Sequence, residues 1–152
     1  MRHLRFIPAF LTTILFVFIL ASCSNSSSDP SVPSQTVIQN NVQSDSWKIT
    51  YFNDSGKDET NHFTGYTFTF GANGTLTASG SSTQTGSWSL TDSNSNDDSV
   101  STLDFNIQFS LGNDLDDLSE DWSIVSQTSS RIELIHVSGG NGGTDYLTFE
   151  KK

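Results

Sequence analysis

The residues able to do chemistry are few. The chain holds one cysteine, Cys23, and three histidines, of which His62 and His136 lie beyond the first 22 residues. A single cysteine closes no internal disulfide and supplies no Cys-based zinc site. An imidazole can act as a general base beside a carboxylate or ligate a metal, but neither histidine has a second His or Cys at ligand spacing. His136 lies out of phase with Ile135 and Val137, which predicts a bulge or a barrel-rim position. Acidic groups gather in two stretches, Asp92, Asn94, Asn96, Asp97 and Asp98, then Asp114, Asp116, Asp117, Glu120 and Asp121. Calcium takes six to eight oxygen ligands, and Asp92, Asn94 and Asn96 match the opening of an EF-hand loop. The match then breaks, because Asp97 stands where the loop requires Gly and Leu103 where it requires Glu. The expectation is a solvated acidic surface with no metal and no cofactor. No Gly-x-Ser-x-Gly elbow is present, and no glycine-rich loop leads from a strand into a helix. Residues 139–143 are glycine-rich but join two strands, so they read as a hairpin. No catalytic residue is assigned, and no enzymatic activity is expected.

Charge narrows the partners. The 152 residues carry 7 Lys and Arg against 17 Asp and Glu, a net charge of −10. Arg2 and Arg5 are the only charged residues before Cys23, so the remainder is more acidic still. Phosphate recognition needs a basic footprint, which is missing, so nucleic acid is not an expected partner.

The elements around these residues divide the chain in three. Residues 1–22 combine two arginines, a mostly apolar run and small residues at their end, the pattern of an export signal peptide. The apolar run is shorter than a membrane span and is broken by Pro8, Thr12 and Thr13. Residues 23–45 contain many serines, Pro30 and Pro33 and no aromatic side chain, a composition suited to a flexible tether. Within it, Val37, Ile38 and Val42 are spaced so that a short helical turn after Thr36 could fold back against the domain from residue 46 onward. Residues 46–152 form eight short runs of alternating apolar residues separated by Gly, Asn, Asp and Ser clusters. Trp47, Ile49 and Tyr51 are expected on one face of the first; Leu103, Phe105, Ile107 and Phe109 give the cleanest alternation. Asn73 and Gly74 suit a tight hairpin, and Leu111, Leu115 and Leu118 allow one or two helical turns. The expected fold is all-β, an eight-stranded antiparallel up-and-down barrel.

Two resemblances add to this reading. Leu20, Ala21, Ser22 and Cys23 resemble the lipobox of bacterial lipoproteins. That likeness implies cleavage before Cys23, a diacylglycerol thioether on its sulfur and a further acyl chain such as palmitate on the new amine, together enough for stable membrane anchoring. Ser24, where an aspartate would imply inner-membrane retention, implies the outer membrane. Separately, Trp47, the run Gly65, Tyr66, Thr67, Phe68, Thr69, Phe70, the turn Asn73, Gly74, Thr75, then Gly86, Ser87, Trp88 and the ending Leu147, Thr148, Phe149, Glu150, Lys151 resemble the lipocalin-like domain of small bacterial lipoproteins. The likeness implies a lipocalin-like barrel and supplies no catalytic residues. Two functions emerge as expectations. In one, Trp47, Tyr66, Phe68, Trp88, Phe105 and Trp122 line an interior pocket for a small hydrophobic molecule. In the other, the same side chains fill the core, and the acidic loops recognise an envelope protein or glycan.

Overall fold

A computed structural model describes residues 34–92, 103–140 and 142–152. Nine antiparallel strands run in chain order: β1 (Ser46–Asp54), β2 (Lys57–Asp58), β3 (Thr67–Phe70), β4 (Thr75–Ser79), β5 (Thr83–Asp92), β6 (Leu103–Gln108), β7 (Asp121–Gln127), β8 (Arg131–Val137) and β9 (Thr144–Lys151). The short β2 is a hairpin arm on β1, and the other eight form an up-and-down barrel that closes where β9 pairs with β1. Closure removes the sheet edges that would otherwise template pairing with other chains. The expected eight-stranded antiparallel barrel is therefore the observed one.

Period-two alternation determines what points inward. Phe68 and Phe70, Leu76 and Ala78, Leu103, Phe105 and Ile107, Ile132 and Leu134 are all buried. The first strand departs from the expected pattern at Tyr51, which is 41% exposed. A bulge between Ile49 and Tyr51 shifts the register against β9, so the inward face passes to Phe52, now 1% exposed. The bulge inserts one residue and reverses every side chain beyond it. A second bulge, between Ile124 and Ser126, shifts the register of β7 against β8, and Val125 faces solvent there.

Both ends of the barrel are capped. At one, α1 (Gln35–Gln43) inserts Ile38 and Val42, each fully buried, while Val37 stays exposed. Gln35 Nε2 ties the helix to the Leu90 carbonyl at 3.1 Å. The foldback turn is thus a nine-residue helix belonging to the core, and the packed unit starts before Ser46. At the other end, two 3₁₀ turns, Thr60–Phe63 and Asp114–Leu118, bury Phe63, Leu115 and Leu118. Of the three leucines expected in a helical turn, Leu111 lies outside it and is 37% exposed. No helix among the described residues is long and apolar enough to cross a membrane.

Candidate functional site

The six aromatic candidates converge on one another. Trp47, Phe68, Phe105 and Trp122 have no exposed surface, Trp88 retains 6%, and Tyr66 is half-buried at the edge of the cluster. Phe70 sits at their centre, in edge contact with Trp88 at 5.3 Å between centroids and with Phe105 and Phe149 at 5.5 Å each. Phe68 meets Phe149 edge-on at 5.5 Å. Such edge-to-face pairs add to the burial energy of the rings themselves. A cleft of about 220 Å³ lies against α1, bordered by Gln35, Gln39, Gln43, Trp88 and Leu90. It is smaller than the roughly 300–1,000 Å³ typical of small-molecule pockets, and glutamines border much of it.

The three indoles have a further common feature, which spacing alone did not reveal. Trp47 Nε1 donates to the Val42 carbonyl at 2.8 Å, in the last turn of α1, where carbonyls lack a partner within the helix. Trp122 Nε1 donates to the Leu118 carbonyl at 3.0 Å, at the end of the second 3₁₀ turn. Trp88 Nε1 donates to the Gly71 carbonyl at 3.0 Å, in the turn between β3 and β4. Each tryptophan thus fills the interior with its rings and fastens an end piece with its N–H.

The acidic stretch 114–121 lies at the barrel end closed by the 3₁₀ turns, and its carboxylates are not equivalent. Asp116 accepts the backbone N–H groups of Leu111 and Gly112, both at 2.8 Å, and so shapes the loop. Asn113 Oδ1 accepts from Leu115 N at 3.0 Å, an N-cap that starts the turn. Asp114 stands 3.7 Å from His62 Nδ1. Asp117 gathers with Glu59 and His62, their ligand-capable atoms all within 4.8 Å of one another. Lys57 is ion-paired with the buried Glu59, and its hydrogen bond holds the Glu59 carboxyl below its ordinary value. Asp117 is pushed the other way, by burial first and then by the charges of Glu59, Asp114 and Asp54.

A second group forms on the same rim. His136 continues the inward face of Ile132 and Leu134 and comes to the end of the barrel, the rim position its phase predicted. No bulge occurs between β8 and β9. Its Nδ1 lies 3.4 Å from Glu120 Oε2 and 3.4 Å from Asp121 Oδ1. Glu120 ends the β6–β7 connection and Asp121 begins β7, both distant from His136 in sequence, which is why ligand spacing along the chain gave no sign of them. Trp122 packs edge-on against the imidazole at 6.1 Å.

Cys23 and the other residues of 1–33, and Asn94, Asn96, Asp97 and Asp98 of the first acidic stretch, lie outside the described residues. Comparison with protein-family models, with curated proteins and with solved structures gave no significant match.

Proposed function

We propose that this chain is a non-enzymatic, lipid-anchored protein of the outer membrane whose lipocalin-like barrel is a filled scaffold that works through its exterior, recognising an envelope protein or glycan at its acidic rim. The observation that carries this reading is the burial of Trp47, Phe68, Phe105 and Trp122 in one core cluster with no exposed surface, beneath caps at both barrel ends. A binder of small apolar molecules needs an apolar cavity to receive them, and these side chains occupy the space that such a molecule would take. Recognition is then assigned to the surface, where Asp114, Asp117 and Asp121 are exposed on one rim. Anchoring rests on the lipobox-like run ending at Cys23 and on the positively charged, apolar leader before it.

Two arms test the reading. Metabolic labelling with a radioactive fatty acid should mark the protein, and Cys23→Ser should lose both the label and the membrane fraction; an unlabelled wild-type chain contradicts the anchor. Crosslinking in whole cells should capture a discrete partner that disappears when Asp114, Asp117 and Asp121 are changed to Asn, with Asp116 kept because it shapes the loop. A crosslinking pattern unaltered by those substitutions contradicts recognition through the acidic rim.

A further inference from the structure

We propose that Glu120, Asp121 and His136 form a three-ligand site for a divalent transition-metal ion of borderline softness, zinc by chemical class, at the rim of the barrel. The first observation is an unsatisfied atom. His136 Nδ1 is buried and has no hydrogen-bond partner, although two carboxylate oxygens stand near it. The nitrogen is equally far, 3.4 Å, from Glu120 Oε2 and Asp121 Oδ1.

That separation has a simple geometric meaning. Zinc binds imidazole nitrogen and carboxylate oxygen at about 2.0–2.2 Å in a tetrahedron, whose corners then stand about 3.4 Å apart. The nitrogen therefore already stands near ligand-to-ligand distance from each oxygen, and the ligand-capable atoms of the three residues all lie within 4.8 Å of one another. Three protein ligands leave a fourth corner for water, and both carboxylate side chains are open to solvent, Glu120 at 40% and Asp121 at 69%. The imidazole selects among ions, since calcium and magnesium prefer all-oxygen sites while zinc and its neighbours accept nitrogen.

The groups are also held in place. Trp122 packs on the imidazole, and its indole N–H fixes the Leu118 carbonyl two residues before Glu120. The Glu120 carbonyl accepts from Ile107 N at 3.1 Å, tying this segment to β6. Charge favours the ion as well. Among the described residues, no Lys or Arg lies within ion-pair distance of Glu120 or Asp121. The neighbouring group of Glu59, His62 and Asp117 differs here, because Lys57 already supplies a cation to Glu59.

The test is a calorimetric titration of zinc chloride into the untagged, chelator-treated mature chain carrying Cys23→Ser, paired with thermal melts. One equivalent should bind and raise Tm, while magnesium or calcium at the same concentration should do neither. His136→Gln should weaken binding at least tenfold, and so should the double change Glu120→Gln with Asp121→Asn, whose exposed positions spare the fold if the histidine variant does not. His62→Gln should leave the affinity unchanged. The site is refuted by wild-type protein that binds no zinc at 100 µM, by undiminished binding in the double carboxylate variant, or by a loss that follows His62 and not His136.

Discussion

The indole nitrogen of Trp47 donates to the carbonyl of Val42 at 2.8 Å, joining the first strand of the barrel to the helix that closes it. Neither residue is exposed to solvent. A helix of nine residues is too short to be stable alone in water, so α1 depends on this bond and on the burial of Ile38 and Val42. The relationship explains how a polar stretch rich in glutamine and asparagine becomes part of a hydrophobic core.

Trp47→Phe should therefore keep most of the apolar contact and lose the donor. Leaving the buried Val42 carbonyl unpaired should cost about 1–3 kcal/mol, read as a lower urea midpoint at unchanged m-value. Limited proteolysis should also cut within Gln35–Gln43 faster than in wild type. Equal stability and equal protection would show that the bond does not hold the helix.

Gly86 lets β5 lie close to the β6 end of the sheet. A Cβ there would sit 2.7 Å from Phe109 Cδ1 and would also press on the Gln108 carbonyl. Both neighbours are fixed, one as a buried ring and the other as backbone. Gly86→Ala should destabilise the barrel by about 1–3 kcal/mol or more through overpacking, measured by thermal or urea unfolding. A neutral substitution would mean that the strands separate freely at this point.

Asp117 should oppose folding at neutral pH. Its carboxyl is raised by burial and by Glu59, Asp114 and Asp54, so the folded state binds a proton there more readily than the unfolded chain does. Ionisation above that raised value costs stability, and the cost vanishes when the pH falls below the ordinary carboxylate range and both states are protonated. Asp117→Asn should raise the stability at pH 7, seen as a higher Tm, by less than about 1 kcal/mol because the side chain is solvent-screened. The advantage should shrink toward pH 3. A variant less stable than wild type at pH 7 would contradict this balance of charges.

Much of the barrel was legible because half-buried strands place every second residue on one face. The run Leu103, Phe105, Ile107 follows that rule without exception. Tyr51 did not, since a bulge depends on pairing with β9, a partner almost a hundred residues away. The β1–β2 hairpin was missed for a similar reason. Its turn places Ser55 at φ 49° and Gly56 at φ 93°, and the Ser55 backbone N–H is held by the side chain of Asp145, from β9. The candidate site shows the same boundary. His136 carried a readable signal, its shared phase with Ile132 and Leu134, but closure of the barrel was required to bring Glu120 and Asp121 beside it. Local pattern thus reveals which face a residue occupies, and long-range register decides its company.

The filled interior is the central claim, and its most direct measurement is intrinsic tryptophan emission of the chain from residue 23 onward carrying Cys23→Ser, during titration with a panel of fatty acids, phospholipids and sterols, joined to mass spectrometry of an organic extract of the protein as purified. Trp47 and Trp122 are fully buried and Trp88 nearly so, and all three pack against the core. The account predicts clean extracts and no saturable change in emission with any member of the panel. A copurifying hydrophobic compound that quenches emission at one equivalent when added back would contradict it, and would make the barrel a carrier.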